Sequence, residues 1–269
     1  MSWFTLQRDE ATLRGWDGGD GLPVIFQHGL GGDEAQVAEV FPDGEGFRRL
    51  TLECRGQGKS SIGNADEISI AQFADDVLAF ADSRGVDRFV IGGISMGAAI
   101  AMRIAICHPE RVRALILARP AWLWGAAPEN MKPFIEVASY LQQRTVGEFE
   151  ASATAQRLER EAPDNLLSLK KFFSANDRAA TATLLETIAA DGPDVSETEV
   201  RSIAVATLVL GHKIDAVHPL EFAQKLANMI AGSRFVEITS KATDKPKHVA
   251  EFRKHVAQFL FLISKGNIQ

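Results

Sequence analysis

Two rhythms of apolar residues alternate along the chain. Short aliphatic or β-branched runs stop at glycine or a polar cluster, and longer stretches carry apolar residues at helical spacing. Residues 3–8 and 11–16, split by Asp9-Glu10, predict an opening hairpin. Residues 23–27, 49–54, 89–94 and 114–118 predict buried strands. Ser69-Ile70-Ala71-Gln72 has the spacing of a capping box. It opens a predicted helix with Phe73, Val77 and Phe80 on one face, which stops near Gly85. Residues 96–107 predict a second helix, closed by His108-Pro109. Alternating strand and helix signals argue for a parallel sheet covered on both faces.

That rhythm breaks at Trp122. From there to about Ser202 the pattern is helical, with runs at 133–144, 148–160, 166–173 and 179–190 punctuated by Pro163, Gly192 and Pro193. Strand signals return at 207–210 and 235–238, and helix signals at 220–230 and 247–264. The last helix carries Val249, Phe252, Val256, Phe259 and Ile263 on one face. The chain is therefore expected to divide into a core of 1–121, a helical insertion of 122–202, and the rest of the core at 203–269.

Composition narrows the possible functions. With 269 residues the chain is long enough for one large α/β domain carrying an insertion. Its formal charge of -6, with no run of Lys or Arg, leaves no electrostatic footprint for nucleic acid. No apolar run approaches the length that spans a bilayer, and residues 1–5 show no signal-peptide pattern, so a cytoplasmic location without membrane contact is expected. Cys54 and Cys107 sit in apolar segments and are expected to be small buried thiols.

The strand predicted at 89–94 runs into Gly93-Ile94-Ser95-Met96-Gly97, and a helix-forming run follows. Strand, sharp turn and helix are the context in which Gly-x-Ser-x-Gly forms a nucleophile elbow. The alternative is a tight turn with an incidental serine. Further motifs follow in order. His28-Gly29 comes after a buried strand, and Arg55-Gly56-Gln57-Gly58-Lys59-Ser60 after the next. Pro109-Glu110-Arg111-Val112 precedes a strand, and Gly211 is followed by Asp215 and Pro219.

Together these motifs resemble the α/β-hydrolase superfamily, in the subgroup with a helical cap over the site. The resemblance covers nearly all of the chain outside the cap. It implies a mostly parallel eight-stranded sheet flanked by helices, with the insertion as the cap. It implies Ser95 as nucleophile, the backbone amides of Leu30 and Met96 as the oxyanion hole, and Asp215 as the acid that orients a histidine. For Asp215 a plain helix-capping role is the alternative. The acid has no substitute after the preceding strand, which ends in Ala118-Arg119-Pro120.

The base is the departure from the pattern. Where the family carries Gly-His after the last strand, this chain has Ala242-Thr243. The nearest histidine is His248, which is assigned the base, and His218 is the next candidate. His28 is expected to brace the oxyanion loop. His212 sits at a strand end, and His108 and His255 are expected outside the site. The expected function is hydrolysis of a small or medium carboxylic ester, thioester or lactone through an acyl-enzyme on Ser95. Carbon–carbon hydrolysis, acyl transfer and perhydrolysis stay open, as does the oligomeric state, monomer or homo-oligomer. No metal or organic cofactor is implied, and the partner is a small-molecule acyl substrate. The alternative is a non-catalytic or weakly active ligand-binding protein of the same fold, without a well-placed base. In the insertion, Trp122, Trp124, Met131, Phe134, Phe172 and Phe173 are expected to hold the cap together, with one or two lining a pocket.

Overall fold

A computed structural model describes residues 2–143 and 145–266. The strands are β1 (Ser2–Arg8), β2 (Ala11–Gly18), β3 (Gly21–Gln27), β4 (Gly46–Leu52), β5 (Phe89–Ile94), β6 (Val112–Ala118), β7 (Thr207–Gly211) and β8 (Arg234–Glu237). They form one sheet in the order β1-β2-β4-β3-β5-β6-β7-β8. Only β2 runs against its neighbours; the pairs from β3 and β4 through to β8 are all parallel.

The sheet sends alternate side chains to two cores, as a period of two requires. Val24, Phe26, Val90, Ile116 and Leu210 face one layer, made by α1 (Glu34–Val40) and α11 (Lys245–Ser264). Ile25, Ile91, Leu115, Leu117 and Val209 face the other, with α2 (Ile70–Ser83), α3 (Met96–Cys107) and α10 (Leu220–Met229). Burial on both sides explains why the central strands read as continuous apolar runs. The expected stripe of α11 is the face that packs: Phe252, Val256 and Phe259 are buried, and Val249 and Ile263 flank them.

Between β6 and β7 lie α4 (Lys132–Gln143), α5 (Val146–Glu150), α6 (Ala153–Glu161), α7 (Pro163–Lys170), α8 (Arg178–Ala190) and α9 (Glu197–Arg201). The run expected at 148–160 is two helices. Ser152 accepts from the Ala155 N–H and starts a new one. The run expected at 133–144 ends within the described residues at Gln143; Arg144 lies outside them. Asp191 fixes the end of this segment, joining it to α2 of the core and to its own first residue, Trp122. The Asp191 carboxylate accepts from the Ile70 N–H at 2.6 Å, and its carbonyl accepts from the Trp122 indole at 2.9 Å.

Three local expectations change. Ser69 caps α2 by accepting from the Gln72 N–H, but the Gln72 side chain turns to Asp76 rather than back to the cap. Cys54 is buried, whereas Cys107, in the last turn of α3, is exposed. The short α1 has no counterpart in the apolar pattern, because only Val37 and Val40 of its seven residues are buried. Its one local signal is the cap, where Asp33 accepts from the Gln36 N–H.

Candidate active site

Ser95 occupies the turn between β5 and α3 with φ 57° and ψ −112°, a region that side chains rarely enter. Its neighbours show why the turn needs glycine. A Cβ on Gly93 would lie 2.4 Å from the Gly97 carbonyl carbon, and one on Gly97 would lie 2.4 Å from the Gln27 oxygen. The Ser95 N–H donates to the Ala118 carbonyl at 3.0 Å, which fixes the turn to the end of β6. The hydroxyl thus sits at the N-terminus of α3, where aligned amide dipoles favour negative charge.

The loop after β3 is held from two sides. The Gly29 N–H donates to Gln36 and the Gly31 N–H to Gln57, both at 2.7 Å. Among the described residues, the Leu30 N–H between them and the Met96 N–H have no acceptor. His28 braces this loop. The Cys54 N–H donates to its Nε2, so Nδ1 carries the proton and donates to the Gly29 carbonyl. Burial pushes its pKa down, as suits a neutral structural imidazole.

The Arg-Gly-x-Gly-x-Ser turn is scaffold for the same loop. Arg55 is fully buried and paired with Asp76 at 2.7 Å. The Ser60 hydroxyl donates to the Glu53 carbonyl, and Glu53 accepts from the Lys59 N–H. Gln57, inside this turn, is the residue that reaches Gly31.

Asp215 is buried beyond β7 at the centre of a dense set of donors. Its carboxylate lies 2.8 Å from His218 Nδ1 and accepts from Asn165 at 2.9 Å and from Arg119 at 2.7 Å. Burial opposes its charge, but His218 and Arg119 outweigh that and hold its pKa well below the usual carboxylate range. With a carboxylate at Nδ1, the His218 proton belongs there and Nε2 keeps its lone pair. Burial, with Arg119 beside it, lowers the His218 pKa despite Asp215.

His248 is placed differently. It lies in the first turn of α11, begun by the Asp244 cap and Pro246. There its Nδ1 faces the Thr239 carbonyl at 2.8 Å, and its ring packs against His212 and Phe252. It has no hydrogen bond to Asp215. The His212 pKa is pushed down to about 4, first by burial, and its Nε2 lies 3.4 Å from Asp215.

Ser95 and His218 line one cavity of about 360 Å³. Gly29, Leu30 and Gln57 form its floor side, and Phe134, Asp164, Asn165 and Phe172 come from the inserted helices. Phe172 rests on the loop after β3, since a Cβ on Gly31 would lie 2.3 Å from its ring. Phe134 and Phe172 are thus the aromatics of the inserted segment at the pocket, while Trp122 and Phe173 are buried inside the fold. His248 does not line the cavity, and among the described residues no imidazole hydrogen-bonds the Ser95 hydroxyl. Arg119 and Asn165 are the site residues that pattern reading misses. They join through folding, from the end of β6 and from α7, across 96 and 50 positions of sequence. No group of three or more His, Cys, Asp or Glu is arranged for a metal, and no helix is long and apolar enough to cross a membrane, among the described residues.

Comparison with known proteins agrees with this architecture. An AB hydrolase superfamily protein of Bacillus subtilis is 26% identical over 88% of this chain and 90% of its own. The enol-lactonase of Burkholderia xenovorans superposes with a TM-score of 0.73 at 23% identity, covering 96% of this chain and 99% of its own. A thermophilic esterase from Thermogutta terrifontis superposes at 0.75 with 22% identity, covering 98% and 100%. At those identities the two structures speak for the fold alone. Residues 23–202, which hold the Ser95 turn, the loop after β3 and all of the inserted helices, match the family described as alpha/beta hydrolase fold, and the chain belongs to that family.

Proposed function

We propose that the chain is a serine hydrolase that cleaves a small or medium carboxylic ester, thioester or lactone. The observation that carries this is the shared cavity: an elbow serine, the Leu30 loop whose amide has no acceptor, and an imidazole whose far nitrogen is held by a buried carboxylate, with the acceptor-free Met96 amide next to the serine in sequence. An enol-lactonase and an esterase share this fold, so acyl–oxygen cleavage is a chemistry that the fold can host.

In this reading Ser95 Oγ attacks the acyl carbon and its proton passes to His218 Nε2. The oxyanion is held by the Leu30 and Met96 N–H groups. As the tetrahedral species collapses, the leaving oxygen or sulfur takes the proton from His218. Water, deprotonated by the same nitrogen, then attacks the acyl-enzyme and releases the acid. Asp215 holds the ring and stabilises its charged form. His218 replaces His248 in this scheme because Asp215 holds its ring and it faces the cavity. The Ser95–His218 hydrogen bond is expected to form when substrate fills the cavity, since such bonds are often long in the free enzyme.

Ester turnover by variants tests the assignment. Ser95→Ala should abolish it, and His218→Ala should lower kcat by about 10²–10⁴-fold. His248→Ala should have a far smaller effect. Loss in His248→Ala with His218→Ala unaffected would reverse the assignment. A second reading, ligand binding without catalysis, draws on the absence of an imidazole bonded to Ser95. It predicts no turnover in any variant.

A further inference from the structure

The loop after β8 presents a lysine to the cavity. Ser240 anchors it: its hydroxyl donates to the Lys213 carbonyl, and its own carbonyl accepts from the Thr243 and Asp244 N–H groups. This turn holds Lys241 at its tip, half-buried, lining the same cavity as Ser95 and His218. Among the described residues no carboxylate lies within ion-pair distance of its ammonium. Arg119 lines the cavity too, and Lys171 lines it from the inserted segment. A wider groove adjoins the cavity, shares Lys171 and Lys241 with it, and adds Lys170 and Lys245. Of these, Lys170 is paired with Glu150 and Lys245 with Glu39.

Holding a partly desolvated ammonium near other cations is costly unless an anion joins it. Burial lowers the Lys241 pKa, and Arg119, Lys245 and Lys171 add to that, while Asp164 opposes it. Asp215, the carboxylate closest to Arg119, is committed to Arg119 and His218. The positive charge of Lys241 and Lys171 thus faces the space a substrate enters, with Asp164 as the one carboxylate among the lining residues.

We propose that Lys241, aided by Arg119 and Lys171, forms an anion subsite, and that the substrate carries a carboxylate on its acyl portion away from the scissile bond. The proposal rests on the hydrolase reading for the word substrate, but the subsite itself is a binding claim. An acyl chain with a terminal carboxylate would place its charge against Lys241 while its other end meets Ser95. The apolar faces of Phe134 and Phe172 would cover the carbons between.

The test compares mono-4-nitrophenyl glutarate with its methyl ester, which has the same acyl chain without the charge. The ratio of their kcat/KM values should favour the acid by about tenfold or more in the wild-type chain. In Lys241→Met it should fall towards one, mainly through KM, and Lys241→Arg should restore most of it. A ratio at or below one in the wild type, or one unchanged in Lys241→Met, overturns the subsite. So does a collapse of methyl-ester turnover in Lys241→Arg equal to that in Lys241→Met, which would make the amine a base. Calorimetry with glutarate on Ser95→Ala separates the two claims. Binding that weakens about tenfold in Ser95→Ala/Lys241→Met supports the subsite even if neither ester is hydrolysed, an outcome that sinks the hydrolase reading alone. Turnover of both esters without glutarate binding sinks the subsite alone.

Discussion

At the scale of single residues, the site depends on which atoms are already committed. The Gly29 and Gly31 amides are occupied by Gln36 and Gln57, which leaves the Leu30 N–H between them. His218 Nδ1 is engaged by Asp215, which leaves Nε2; His248 Nδ1 is engaged by Thr239. Burial lowers the proton affinity of the proposed base, Asp215 opposes that, and Arg119 adds to the lowering. A base must be neutral to act, so the acid limb of kcat/KM is expected to lie below about 6.5, the ordinary imidazole value. Arg119→Gln removes a cation, raises the His218 pKa, and should move that limb to higher pH. A pH–rate profile of the two proteins checks this, and an unmoved limb would separate the titrating group from Arg119.

Secondary elements explain what was legible in the sequence. β5, the elbow and α3 were readable to the residue, because an apolar run, two glycines and a helix-forming segment are local signals. The hairpin was readable to within two residues, and the Ser69 cap of α2 and the apolar face of α11 were readable in position, although Gln72 does not complete a capping box. Ser95, Asp215, Leu30 and Met96 were assigned from their places after a strand end or the elbow. The histidine that Asp215 holds could not be assigned that way. The His218–Asp215 contact spans only three positions, but the same segment also reads as a plain helix entry, and His248 lies nearer the family's position for a base. Which imidazole turns inward depends on the Asp244 cap and on Thr239, whose effect is on side-chain direction rather than on pattern. Arg119 and Asn165 were beyond reach because β6 and α7 meet Asp215 only in the folded chain. The elbow makes its own prediction. Gly97→Ala places a Cβ 2.4 Å from the Gln27 oxygen, and backbone atoms yield little. It should cost at least the roughly 1–3 kcal/mol of overpacking. Urea denaturation with an unchanged midpoint would refute the close approach.

For the molecule as a whole, burial of neutral imidazoles links stability to pH. His28, His212, His218 and His248 all have pKa values lowered first by burial, with His212 at about 4. A histidine whose pKa is lower folded than unfolded contributes fully above about 6.5, and its contribution fades as pH falls through the folded value. Asp17 and Asp215, also lowered, act in the same direction further into acid. Thermal unfolding is therefore expected at a lower Tm at pH 5 than at pH 7. An equal or higher Tm at pH 5 would mean that these rings are already solvated and chargeable in the folded chain.

The inserted helices take part in the same design. Phe172 covers the loop after β3, Asn165 fixes the loop that carries Asp215, and Asp191 fastens the segment to α2. In the proposed mechanism, substrate selection and catalytic geometry would share this set of contacts. Beneath all of this stands one claim, that Ser95 is a nucleophile activated through His218. Intact-protein mass after exposure to a fluorophosphonate tests it most directly. The account predicts one phosphonyl adduct on the wild-type chain, none on Ser95→Ala, and labelling slowed by about 10²-fold or more in His218→Ala while His248→Ala stays close to wild type. An unlabelled wild-type chain, or equal labelling of wild type and Ser95→Ala, would contradict it.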